Sequence, residues 1–236
     1  MDRDLARRAS AEAVGTALLV AVVVGSGIAA QRLSPNDTGL QLLENALATG
    51  AGLVALILAF GSVSGAHFNP VVTLADRTLG GTTTRDSCVY VVAQIAGACF
   101  GCVMANVMFN LAAVNVSNHV RSSGALWFSE SVATFGLLIV IFGIVRSGRV
   151  ALAPFAVGAY IAAAYWFTSS TSFANPAVTI GRTLSNTFAG IAPSSVPMFI
   201  AMQVVGGCIA VLGARFWYPD LPADAVVVPR EAAEAA

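Results

Sequence analysis

Two short boxes recur in this chain, Asn69-Pro70-Val71-Val72-Thr73 and Asn175-Pro176-Ala177-Val178-Thr179, separated by 106 residues (175 − 69). An Asn-Pro pair opens a helix. The Asn side chain accepts from free backbone N–H groups at the N-cap, and Pro suits the first helical position. The chain around them is 57% hydrophobic and 10% charged, against roughly 25% charged residues in a soluble domain. A helix opener used twice in an apolar chain predicts two broken helices that meet inside a bilayer and make a pore or a binding site.

The apolar pattern predicts six spans, over 10–31, 40–62, 86–110, 125–146, 151–171 and 193–218. Two half-helices are expected after the boxes, over 69–79 and 175–186. The fold class is therefore an all-α membrane protein of one channel-like domain over 1–236. Repeat one covers about 10–110, repeat two about 125–218, and residues 219–236 form a polar cytoplasmic tail. Glu12 precedes Thr16 by four residues, as Glu130 precedes Thr134. Gln94 and Gln203 each stand five residues before a Cys. Three crossings per half is an odd number, so the second copy is inverted.

Arginine sets the expected orientation, since the chain has no Lys. With the N-terminus inside, Arg3, Arg7, Arg8, Arg77, Arg85, Arg146, Arg149, Arg215 and Arg230 are cytoplasmic, and Arg32, Arg121 and Arg182 are external. The first box then approaches from the cytoplasm and the second from outside. The apolar stretch after Arg8 is too long for a cleaved leader and has a counterpart in the second half. The net charge of zero excludes nucleic-acid binding through overall basicity. The four Cys match neither a disulfide framework nor a zinc spacing and read as small buried residues. No nucleophile–base set, phosphate loop or metal cluster is present, so neither enzyme chemistry nor a cofactor is expected.

Two half-helices meeting by their N-termini would place positive dipole ends at the midplane, repelling cations and protons. Asn69 and Asn175 would offer donors to a passing oxygen. Glu12 and Glu130 are ionisable groups inside spans, where such groups are costly and face the interior. They either relay protons in a coupled transporter or accept backbone N–H groups of the non-helical segments before the boxes. Their equivalent places in the repeat favour bracing.

With these residues assembled, the chain resembles the aquaporins, the major intrinsic protein family. Ser64-Gly65-Ala66-His67-Phe68-Asn69-Pro70 with Val72-Thr73 is similar to the family's first signature, and Asn175-Pro176-Ala177 to its second. Val71 stands where Ala is usual. Glu12 and Glu130 match the paired glutamates. The resemblance covers nearly the whole chain. It implies a passive pore for small uncharged solutes in each subunit of a homotetramer, in a bacterial-type plasma membrane with both termini cytoplasmic. It also makes His67 a pore-lining vestibule residue.

Family spacing puts the selectivity filter at Thr49, Ala163, Ser172 and Val178. Val178 holds the place of the usual Arg, so the filter is expected to be wide and Arg-less. Arg182, four residues on, is expected to face a loop or carbonyl cluster, with the pore wall as the alternative. A bacterial branch of the family associated with arsenic resistance resembles this chain in that Val. Arsenous acid is then the expected permeant, with water, glycerol and urea as others. Cys99 and Cys208 could sample a thiol-binding metalloid, but a tight thiol site would trap permeant. The rival readings are a water-selective aquaporin, a proton-coupled transporter using Glu12 and Glu130, and a closed structural protein.

Overall fold

Asp2 opens the first helix, α1 (Arg3–Leu33), by accepting the Leu5 N–H at 2.8 Å. That bond holds its carboxyl below the usual carboxylate pKa. The computed structural model describes residues 2–218. The expected tail at 219–236, and Arg230 with it, lies outside the described residues.

α2 (Thr38–Ser64) starts at Asp37, which accepts the Leu40 N–H, and stops at Gly65, whose φ of 87° ends the helix. A non-helical lead-in runs to Asn69. The half-helix α3 (Pro70–Leu79) begins with Pro at its first position. α4 (Thr84–Met108) is capped by Thr83 and completes the first repeat. The second repeat follows with α5 (Gly124–Arg146), α6 (Ala153–Phe167), the half-helix α7 (Pro176–Gly181) and α8 (Val196–Trp217). Short 3₁₀ turns precede α6 and α8 and follow α7. Six helices are long and apolar enough to cross a membrane, counting the turn before α6 and the turn before α8 as parts of theirs.

Two expected segments are shorter than the apolar pattern suggests. The fifth span ends at Phe167, not 171. Thr168 is extended, with ψ 136°, and passes the chain into the second lead-in. The second half-helix ends at Gly181 rather than 186 and tightens into a 3₁₀ turn over Arg182–Leu184.

Packing repeats the sequence duplication. α1 packs on α4 and α2, as α5 packs on α8 and α6. The halves meet along α2 and α6, and each half-helix also touches the other repeat, α3 on α8 and α7 on α4. Gly97 of α4 lies against the Ala13 backbone of α1, where any Cβ would collide with a carbonyl. Gly206 of α8 meets Ser131 of α5 in the same way. Small residues allow such helix approach where no hydrophobic effect drives it.

The cysteines depart from the expectation of buried packing. Cys102 is buried and Cys99 partly so, whereas Cys88 and Cys208 are exposed on the outer surface of the bundle.

Candidate functional site

The two lead-ins carry backbone that ordinary residues avoid. Gly65, Ala66 and Phe68 have φ of 87°, 49° and 48°, and Thr171, Ser172 and Ala174 have 62°, 52° and 47°. Non-Gly residues in this left-handed region cost about 1–3 kcal/mol each and persist only where surroundings hold them. Glu12 and Glu130 are those surroundings. Glu12 accepts the His67 N–H at 3.0 Å, the Phe68 N–H at 2.7 Å and the Ser64 hydroxyl at 2.6 Å. Glu130 accepts the Phe173 and Ala174 N–H groups at 3.0 and 2.9 Å. Both glutamates are 0% exposed.

A third layer repeats behind them. Gln94 gives Nε2 to Glu12 at 2.8 Å and to the Thr73 hydroxyl at 2.9 Å. Gln203 gives Nε2 to Glu130 at 2.6 Å and to the Thr179 hydroxyl at 2.9 Å. Thr73 and Thr179 are the last residues of the two boxes, so each brace ties a half-helix to its own lead-in. The Gln pair marked the repeat in the sequence. Its role in the brace was not read there, although Gln94 and Gln203 follow the Asn of their boxes at similar distances, 25 (94 − 69) and 28 (203 − 175) residues.

Asn69 and Asn175 each do two jobs. Asn69 Oδ1 accepts the Val71 N–H, and Asn175 Oδ1 accepts those of Ala177 and Val178. Their amides cross: Asn69 Nδ2 donates to the Ala174 carbonyl at 2.7 Å, and Asn175 Nδ2 to the Phe68 carbonyl at 2.8 Å. An amide nitrogen has two hydrogens, so one on each Asn remains for a ligand. Pro70, Val71, Pro176 and Ala177 are buried around this junction.

A cavity runs past it, lined on one side by both Asn, His67, Ser172 and the lead-in backbone. The spanning helices line it with mostly apolar residues, Leu19 and Val23 of α1, Leu53 and Ile57 of α2, and their counterparts Leu137, Ile141, Val157 and Ile161. The cavity volume is about 70 Å³, against the ~10–15 Å³ that one water needs. That holds a short file of molecules. A permeant meets donors and acceptors at a limited number of points among apolar residues, which keeps binding weak enough for passage.

Thr49, Ser172 and Val178 all line the cavity. His67 lines it too, with Nδ1 3.0 Å from the Thr73 hydroxyl and its ring edge-on to Tyr90. Ala163 does not line it: this residue is exposed on the opposite side of α6. Val157, Ile161 and Tyr165 recur at four-residue steps and form the lining stripe, and a residue two past Ile161 is turned about 200° away from it. Tyr165 takes the place expected for Ala163. Its hydroxyl pairs with that of Thr49 at 3.1 Å.

Arg182 also lines the cavity, which corrects the expectation of an Arg-less filter. Its Nε donates to the Ala189 carbonyl, and its guanidinium lies 3.4 Å from the centroid of the Phe173 ring. It therefore meets both alternatives, a carbonyl partner and the pore wall. No Cys is among the lining residues, so the permeant-sampling idea for Cys99 and Cys208 has no geometric support. Among the described residues no group of three or more His, Cys, Asp or Glu could hold a metal ion.

Comparison with known proteins gives a consistent picture. Residues 2–174 match the family model described as major intrinsic protein. The chain is 50% identical over 213 residues to aquaglyceroporin AqpS of Rhizobium meliloti, covering 90% of this chain and 91% of that one. It is 31% identical over 240 residues to aquaporin AqpM of Methanothermobacter marburgensis, covering 90% and 98%. The solved aquaglyceroporin of Plasmodium falciparum superposes with a TM-score of 0.66 at 20% identity, over 92% of this chain and 96% of that one. At that identity the likeness concerns the fold alone.

Proposed function

Starting from a chain that belongs to the major intrinsic protein family, and so to channels for small neutral solutes rather than to enzymes, we propose a passive pore that admits solutes larger than water. Arsenous acid is the proposed characteristic permeant, with water, glycerol and urea as others. The observation that carries this reading is Val178, a small apolar side chain in the cavity wall directly after Asn175-Pro176-Ala177. Beside it Ser172 and Thr49 add small hydroxyl residues. A neutral trihydroxy molecule suits a pore with a few polar groups set among apolar walls, since its hydroxyls find partners while the rest of it needs none.

A water-selective pore is the second reading, favoured by Tyr165 and Arg182 at the same end of the cavity. Proton coupling is disfavoured because neither Glu12 nor Glu130 is among the lining residues and both accept from lead-in donors. We also propose a subunit in a bacterial plasma membrane with both termini cytoplasmic, a reading supported by the arginine distribution, and a homotetramer, supported by family likeness.

Stopped-flow light scattering on proteoliposomes tests the reading. Wild type should pass glycerol, urea and arsenite, and Val178→Arg should cut those fluxes about tenfold or more, a barrier increase of ~1.4 kcal/mol or greater, while water continues to pass. A wild type that passes water alone removes both the wide-filter reading and arsenous acid.

A further inference from the structure

The outer end of the cavity holds more positive charge than the structure neutralises. Arg182 is 2% exposed, yet its Nε donates to a neutral group, the Ala189 carbonyl. Arg121 lies beside it, giving Nε to Gly190 O at 3.0 Å and Nη2 to Phe188 O at 3.3 Å. Two guanidiniums thus share three consecutive carbonyls, and both lie against the Phe173 ring. Neither Arg121 nor Arg182 is in an ion pair with another described residue. Glu130 is the acid of this region, a single carboxylate behind the lead-in that accepts from Phe173, Ala174 and Gln203. One carboxylate against two guanidiniums leaves a surplus of positive charge.

Further donors face the same space. Ser172 Oγ is buried, lines the cavity and has no hydrogen-bond partner among the described residues. Buried polar atoms are nearly always paired, so such an atom calls for an explanation. The Thr49 and Tyr165 hydroxyls bond each other, and whichever donates, one hydroxyl hydrogen is left over. No carboxylate lines the cavity among the described residues.

We propose that Arg182, Ser172 and the Thr49–Tyr165 hydroxyl pair form a binding site for a small monovalent oxyanion at the outer end of the cavity. A guanidinium presents a planar fork of donors that matches a carboxylate. The anion supplies the charge that the carbonyls of 188–190 do not. Its occupancy obstructs the file of neutral permeants, so the site makes this mouth sensitive to external anions. The site does not depend on which neutral solute passes.

The test measures binding without flux, on the full chain in nanodiscs of zwitterionic lipid. [¹³C]Formate is titrated at neutral pH by line broadening, with chloride replaced at constant ionic strength. Wild type should broaden the signal saturably. Arg182→Gln should weaken binding about tenfold or more, in line with loss of a charge-assisted pair, and Ser172→Ala by a smaller factor. Arg182→Lys keeps the charge without the fork and should fall between wild type and Arg182→Gln. If Arg182→Gln does not fold, Arg182→Lys and Ser172→Ala carry the test, and weakening in both supports the site. Absence of saturable binding to wild type, or equal affinity in all variants that fold, overturns it.

Discussion

Glu12 and Glu130 accept donors that lipid could not satisfy. Replacing either with Ala strands its donors, which for Glu130 are the Phe173 and Ala174 N–H groups and the Gln203 amide. At ~1–3 kcal/mol for each buried donor left unpaired, Glu130→Ala should cost several kcal/mol. Thermal unfolding of the detergent-solubilised protein should show a large drop in midpoint. Gln203→Leu removes one donor of the same cluster and should cost less. An unchanged midpoint for Glu130→Ala would contradict the brace. At this scale much of the site is legible in the sequence. Acids inside apolar spans are rare, and two at equivalent repeat positions have few explanations. Arg182 was harder to read because its position depends on a 3₁₀ turn that ends α7 early, a detail that residue pattern does not encode.

The error over Ala163 arises at the scale of the element. Counting back twelve residues from Asn175 lands on α6, but a helix wall is defined by its four-residue stripe. Here that stripe runs through Val157, Ile161 and Tyr165. Periodicity alone could not choose between stripes, because α6 is apolar all round, with Phe155, Trp166 and Phe167 exposed on its outer side. Tyr165→Ala should widen the end of the cavity at Thr49 and Arg182 and raise glycerol permeability of proteoliposomes several-fold relative to water. Ala163→Val, on the other side of the helix, should leave the ratio unchanged. The reverse pattern would restore Ala163 to the wall. The span limits themselves were largely legible, since Asn-Pro openers and Gly65 punctuate the chain with little ambiguity.

For the whole molecule, the glycine contacts that hold the bundle include two related by the repeat. Gly97→Leu would drive α4 from α1, and Gly206→Leu would drive α8 from α5. Overpacking of this kind costs about 1–3 kcal/mol or more. Either variant should give less folded protein by size-exclusion chromatography, whereas Gly124→Ala, with open space around it, should not. The inversion was legible from the odd number of crossings per repeat, while the way the halves hold each other was not. That depends on the crossed amides of Asn69 and Asn175. Each lead-in is tied by a donor that belongs to the other repeat. During synthesis the first lead-in therefore waits, its Phe68 carbonyl without its partner amide, until residue 175 has left the ribosome more than a hundred residues later. Each half is unfinished alone, since it lacks the donor that only the other half supplies.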